Sequence, residues 1–256
     1  MSGGIHEGKV AIVTGAGSGL GRAATLALAA EGATVLGVDL RPDAVAELRP
    51  EGGRVVAHRA DVTRADDVGA YVARAGDELG GVDLFFNNAG VGGFHKDLVD
   101  LEDDEWDAHM AINLRSPFLG LKHVMRAMIA QGRGGSIVNT GSLLSLKAAP
   151  GRGDYTVAKH GVAGLTRTAA AEGARHGIRV NCVCPGPIDT PLMAESERLV
   201  NPADPGFERR RFETGTPLGR YGRPEEVGET VSWLLSDRVP YMTGSLVVLD
   251  GGILAV

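Results

Sequence analysis

The chain has 256 residues, enough for one large α/β unit with a substantial core. Hydrophobic residues at 43% and charged residues at 23% are ordinary for a soluble globular protein. A formal charge of −6 without a basic cluster argues against nucleic acid or an acidic membrane surface as partner, and no apolar run approaches transmembrane length.

In chain order, residues 1–8 lack the apolar core of a signal peptide, so a cytoplasmic location is expected. Residues 9–14 form a strand-like apolar run, followed by Gly15-Ala16-Gly17-Ser18-Gly19-Leu20-Gly21 and a helix pattern that ends at Gly32. Strand, glycine turn and helix together let a backbone approach a pyrophosphate, with the free N–H groups of the helix N-terminus facing it. A second strand, residues 34–39, ends in Asp39, near the spacing at which a carboxylate binds an adenosine ribose. Further strand-like runs lie near residues 54–58, 82–87, 135–140, 178–184 and 245–249, with helical patterns between them. This alternation predicts a parallel sheet covered on both faces, in a single unit spanning 1–256.

Ser142 falls in the turn after the run 135–140, and Tyr155-Thr156-Val157-Ala158-Lys159 opens the next helix. A Tyr and a Lys four apart on a helix share one face. A phenol, with an unperturbed pKa of about 10, is a poor base near neutrality, and a neighbouring ammonium favours its phenolate. Such a pair can pass protons, and a serine hydroxyl can donate to the same oxygen. The helix pattern from Tyr155 to His176 is rich in small residues on more than one side, which suits packing on the sheet and either on a neighbouring subunit or under the chain's own loops. Cys182 and Cys184, the only cysteines, are two apart on a strand and poorly placed for a disulfide. Without further Cys or clustered His they read as core thiols, and no metal is expected. Residues 191–217 are polar and proline-broken, and read as a mobile substrate lid in which Arg209, Arg210 and Arg211 form a solvated face.

Together these motifs resemble the short-chain dehydrogenase/reductase family, over nearly the whole chain. Thr14, Gly15, Gly19 and Gly21 match its glycine motif, and Asn87-Asn88-Ala89-Gly90 its second motif. Asn113, Ser142, Tyr155 and Lys159 match its catalytic tetrad, and Pro185-Gly186-Pro187-Ile188-Asp189-Thr190 the segment that holds the nicotinamide end. The resemblance implies a doubly wound Rossmann fold with a seven-stranded parallel sheet and helices on both faces. It also implies a homotetramer formed through the two long central helices.

The activity implied is hydride transfer between a nicotinamide cofactor and a secondary alcohol or ketone. Tyr155 would exchange the alcohol proton, Lys159 would favour its phenolate and hold the nicotinamide ribose, and Ser142 would orient the substrate oxygen. Asn113 would support a water linking Lys159 to solvent, or serve as a core or kink residue, or both. Gly15, Ser18, Gly19, Leu20, Gly21, Asn88, Ala89 and Gly90 are expected at the cofactor, with Tyr155, Lys159, Pro185, Gly186, Ile188 and Thr190 at its nicotinamide end. Asp61 and Val62 match the family's adenine contact, although Asp61 could equally be a helix N-cap. Asp39 favours NAD over NADP, because a carboxylate accepts from a ribose hydroxyl and repels a phosphate. Ser18 stands where phosphate-accepting relatives carry a basic residue. Arg41 dissents, as it could turn toward a phosphate, but reads as a solvent-facing cation.

Substrate walls are expected from residues 91–96, 143–152 and 186 onward. Ser142, Leu144, Tyr155 and Met193 are the expected contacts. Leu143 and Leu146 add to the reading of a small-molecule substrate that is apolar or alicyclic. His95 reads as an exposed loop histidine, and residues 151–154 add polar groups of unassigned direction. Two other readings stand beside this one. A 3-oxoacyl-carrier-protein reductase would share every motif but favour NADPH and a basic docking surface, for which Arg126 and Arg133 are the nearby candidates. A non-catalytic dinucleotide sensor would have little need for an intact tetrad.

Overall fold

A computed structural model of the chain describes residues 4–204 and 206–256. Its strands are β1 (Val10–Thr14), β2 (Thr34–Asp39), β3 (Arg54–Arg59), β4 (Leu84–Asn87), β5 (Gly135–Thr140), β6 (Ile178–Pro185) and β7 (Leu246–Leu249). All pair in parallel in the order β3-β2-β1-β4-β5-β6-β7. The helices are α1 (Gly19–Ala30), α2 (Pro42–Ala46), α3 (Ala65–Leu79), α4 (Asp103–Met110), α5 (Ser116–Gln131), α6 (Gly153–Gly173), α7 (Pro191–Val200), α8 (Gly206–Gly215) and α9 (Pro224–Leu235). The expected doubly wound, seven-stranded Rossmann architecture is what the chain forms.

The two faces of the sheet are read off successive side chains. In β1, Ala11 and Val13 join the core under α1 and α9, whereas Ile12 joins the core under α3, α5 and α6. In β4, Leu84 and Phe86 take the first side and Phe85 the second. Central strands buried on both faces are therefore continuous apolar runs rather than alternating ones.

β1 lies between β2 and β4, so the chain reverses its direction of winding beside the C-terminal ends of β1 and β4, where open α/β sheets bind ligands. Three short bonds tie these ends together. Thr14 Oγ1 accepts from the backbone N–H groups of Asn88 and Ala89 (2.9 and 3.0 Å), and Asn88 Nδ2 donates to Thr14 O (2.9 Å). Thr140 Oγ1, at the end of β5, donates to Asn88 Oδ1 (3.1 Å). The turn into α1 also needs glycine at its far end: a Cβ at Gly21 would overlap the carbonyl oxygen of Gly15.

The segment 191–217 departs from its expected irregular form. It folds as α7 and α8, because Pro191 sits at the first position of a helix, where the missing N–H costs nothing. Thr190 caps α7 by accepting from Met193 N (3.2 Å). Cys182 and Cys184 are free and buried, their sulfurs 3.9 Å apart in the core between β6 and α6. No helix among the described residues is long and apolar enough to cross a membrane.

Candidate active site

A cavity of about 980 Å³ opens over the C-terminal ends of the central strands. One side is lined by Gly15, Ser18, Gly19 and Leu20 from the glycine turn and Asn88, Ala89 and Gly90 from the end of β4. Asn113, Ser142, Tyr155 and Lys159 line its middle, and Pro185, Gly186, Ile188 and Thr190 close the far side. Residues distant in sequence are thus gathered as expected.

The four central residues are held by different devices. Ser142 caps a short 3₁₀ turn, its Oγ accepting from Leu144 N (3.1 Å). Ser145 Oγ in that turn donates to Lys159 O (2.9 Å), which ties the serine turn to α6. Lys159 is buried, donates from Nζ to Thr140 O (2.9 Å) and lies 5.4 Å from the centre of the Tyr155 ring. Asn113 lies in a single π-helical turn, Ala111–Arg115, inserted between α4 and α5. Such a bulge re-aims one side chain out of the helical register. Its Oδ1 accepts from Val91 N (3.1 Å), and a Cβ at Gly90 would come within 2.7 Å of that oxygen.

Two further buried residues stand here, His109, which no sequence motif marks, and Asp154, whose direction the sequence leaves open. His109 lies 2.8 Å through Nε2 from Asn113 Nδ2 and 3.6 Å from Asp154 Oδ2, with its ring centre 6.0 Å from that of Tyr155. Asp154 is itself buried and accepts from Phe94 N (2.9 Å). Burial pushes the His109 imidazole down, against the pull of Asp154, which holds it neutral near pH 7. Because Asn113 Oδ1 already accepts from Val91, its Nδ2 donates to His109. The histidine therefore orients the asparagine. Their spacing, i and i+4, was the available signal.

At the other end, Asp39 accepts from Gly17 N (2.9 Å) and Arg41 N (3.0 Å), so its carboxylate sits against the glycine turn. Arg41 is exposed, as expected. Asp39, Gly21, Asp61 and Val62 are not among the residues lining the cavity. Gly21 faces back onto Gly15. Asp61 does not cap α3, whose N-cap is Arg64; its Oδ1 accepts from Thr63 N and Thr63 Oγ1 (2.9 and 2.7 Å) instead.

The substrate side is walled by Leu144, Leu192, Met193, Leu199, Phe207 and Phe212. Leu146 is a correction: the 3₁₀ turn leaves it exposed and outside the cavity. His95 is another. It is half-buried and lines the cavity, with Nε2 3.1 Å from Ser196 Oγ. The three arginines of α8 are not simply solvated. Arg209 pairs with Asp189 (2.9 Å), Arg210 with Asp204, and Arg211 with Glu208 (2.6 Å).

A family profile described as enoyl-(acyl carrier protein) reductase matches residues 15–254. Levodione reductase of Leifsonia aquatica is 39% identical over 95% of this chain and 93% of that protein. The chain belongs to the short-chain dehydrogenase/reductase family. A crystal structure of levodione reductase superposes with a TM-score of 0.93 at 39% identity, covering 98% of this chain and 99% of that one. The 2,5-dichloro-2,5-cyclohexadiene-1,4-diol dehydrogenase of Sphingobium indicum is 40% identical over 98% of each chain. Cyclohexanol dehydrogenase of Acinetobacter is 39% identical over 95% of this chain and 94% of its own. The protein is accordingly an oxidoreductase of secondary alcohols, of a family that uses a nicotinamide dinucleotide.

The residues present fit such a cofactor. Ser18, at the N-cap of α1, makes no side-chain capping bond, and the first turn of α1 carries no acidic residue. The helix thus presents backbone N–H groups and positive dipole to the cavity without an internal anion competing for them, as a pyrophosphate requires.

Proposed function

We propose that this dehydrogenase transfers hydride between NAD(H) and an apolar or alicyclic secondary alcohol or ketone. The observation that carries the reading is the single cavity in which Ser142, Tyr155 and Lys159 meet both the glycine turn and an apolar wall. Gly15, Ser18, Gly19, Leu20 and Asn88–Gly90 would hold the dinucleotide, with Pro185, Gly186, Ile188 and Thr190 at its nicotinamide end. Bound there, the nicotinamide supplies the hydride acceptor or donor.

The remaining chemistry belongs to the chain. Ser142 Oγ orients the substrate oxygen by hydrogen bonding. Tyr155 takes the proton from the alcohol during oxidation and returns it during reduction. The Lys159 ammonium stabilises the phenolate and retains N–H groups, beyond the one given to Thr140, for ribose hydroxyls. Asn113, oriented by His109, supports the route by which the proton leaves. The choice of NAD rests on Asp39, whose carboxylate would accept from a ribose hydroxyl and repel a 2′-phosphate. The alicyclic preference rests on the apolar wall and on the cyclohexadiene-diol and cyclohexanol dehydrogenases among the relatives. A homotetramer, a cytoplasmic location and a lid role for α7 and α8 complete the proposal.

The deciding experiment is a screen of cyclic and acyclic secondary alcohols and ketones with NAD(H) and NADP(H) in parallel. Turnover with cyclic substrates and NAD is expected. A 3-oxoacyl-carrier-protein reductase also stands among the relatives. Exclusive turnover of 3-oxoacyl thioesters with NADPH would favour that activity instead.

A further inference from the structure

Arg152 enters the cavity from the turn before α6 and differs from the other arginines around it. Arg209, Arg210, Arg211, Arg220 and Arg223 each ion-pair with a carboxylate. Arg152 has none within 4 Å among the described residues. It is half-buried, with the guanidinium carbon 5.3 Å above the Tyr155 ring centre. Its Nη1 lies 3.2 Å from His95 Nε2 and 3.3 Å from Nδ1, and donates to Ser196 Oγ (3.2 Å). Its Nε is sealed from solvent and has no hydrogen-bond partner among the described residues. Packing on Tyr155 and the contacts of Nη1 therefore hold the guanidinium in place. A partly desolvated cation without a counter-ion is costly, and a bound anion would offset that cost.

The surrounding charges favour an anion there. Lys147, Arg152, Lys159 and Arg211 line the cavity, against Glu197 and Glu208. Glu208 pairs with Arg211 and cancels it, and Glu197, which accepts from Tyr221 Oη (2.7 Å), keeps its charge, so the lining carries two more cations than carboxylates. Asp154, two residues on, accepts from Phe94 N (2.9 Å) and makes no ion pair with the guanidinium. Burial and the neighbouring Arg152 push the His95 imidazole down, so the positive charge there is that of Arg152. An uncharged alicyclic alcohol would use the apolar wall and leave Arg152 unanswered.

We propose that Arg152, supported by Ser196 and His95, forms a carboxylate-reading subsite beside Tyr155, so that the substrate is an alicyclic alcohol or ketone bearing a carboxylate. This rests on reading the cavity as the alcohol site. A guanidinium answers a carboxylate with directed, charge-assisted bonds, which an ester or amide at the same ring position cannot match.

The test compares kcat/KM for 4-hydroxycyclohexanecarboxylate and its methyl ester, with saturating NAD, in the parent and in Arg152→Met. Beside it, thermal shifts are measured with cyclohexanecarboxylate, which has no hydroxyl to oxidise. The parent should prefer the acid, and Arg152→Met should lower the acid-to-ester ratio roughly 10- to 100-fold. Cyclohexanecarboxylate should raise the melting temperature of the parent but not of the variant. If both substrates lose rate together at constant ratio, with a shifted pH profile, Arg152 acts through the Tyr155 ring and the subsite is refuted. A parent that turns over cyclohexanol but prefers the ester also refutes it. If no alicyclic alcohol reacts while the Arg152-dependent thermal shift persists, the subsite stands and the alcohol reading falls. Ser196→Ala serves as a second variant should Arg152→Met fold poorly; it should lower the same ratio, and an unchanged ratio would count against the subsite.

Discussion

Lys159 spends one N–H on Thr140 O while its ammonium stays beside the Tyr155 ring, so one charge faces two demands. Tyr155→Phe keeps the ring that packs against Arg152 and His109 but removes the proton carrier. Turnover should fall by roughly 10²–10⁴-fold, the usual worth of a positioned acid–base group, with NADH affinity nearly unchanged by fluorescence titration. Lys159→Ala should damage both rate and cofactor affinity; loss of rate alone would remove the ribose role. Asp39→Ser makes a different case. It should weaken NAD and improve NADP by about one to two decades each in kcat/KM, since a charge-assisted bond is lost and a repulsion removed. The bond from Gly17 N to Asp39 adds a structural share to the NAD loss. A parent that already prefers NADP would overturn the cofactor choice. At this scale the tetrad was legible because each member sits in a recognisable local motif. Arg152, His109 and Asp154 were not: each is a single polar residue whose direction is set by elements remote in sequence.

Helices α7 and α8 are fastened to the body through Tyr221 and Asp189, besides the contacts of Ser196 with Arg152 and His95. The Tyr221 hydroxyl donates to buried Glu197 of α7, and Arg209 of α8 reaches Asp189 while its guanidinium carbon lies 4.6 Å from the Tyr221 ring centre. Tyr221→Phe leaves that carboxylate without its phenol donor. The change should raise KM more than it lowers kcat. It should also cost about 1.5–3 kcal/mol, visible as a lower melting temperature. An unchanged KM would argue that these helices do not shape the substrate side. Helix α9 offers a pH test. Glu226 accepts from Arg223 N (2.7 Å) and from Arg220 (2.8 and 2.9 Å), and the Arg220 guanidinium holds its carboxyl down to about 2, below the ordinary 4.5. A depressed carboxylate stabilises the fold above the higher value, and that contribution is lost as pH falls through the lower one. The pair lies at the surface, where solvent screens it, so its effect on stability is small. Glu226→Gln should lower the melting temperature at pH 6 but hardly at pH 2; equal effects at both would exclude this origin. The helical form of α7 and α8 is not legible in the sequence, because proline breaks a helix interior yet starts one, as Pro191 does.

Across the whole molecule, α4, α5 and α6 leave a shallow apolar groove lined by Leu114, Phe118, Gly161, Gly164, Leu165 and Thr168. Phe118 is half exposed there, and a Cβ at Gly164 would meet nothing within 4 Å inside the protomer. Gly164→Glu should therefore fold normally yet place a charge where a second copy would pack. Light scattering should find a tetramer for the parent and a smaller species for the variant. A monomeric parent would refute the assembly.

The sequence by itself determined the sheet, its seven strands nearly to the residue, and the grouping of the tetrad with the glycine turn. Strand burial, the glycine turn and the i,i+4 pair of Tyr155 and Lys159 are short-range patterns, while the membership of Asn113 in the tetrad came from the resemblance to the family. Tertiary structure alone decided which polar side chains face the cavity. His95 was drawn inward by Arg152 and Ser196, Leu146 was turned outward by a 3₁₀ turn, and Arg152 was left without a carboxylate. Those outcomes depend on charges and volumes delivered by separate elements, and no local pattern encodes which partner arrives.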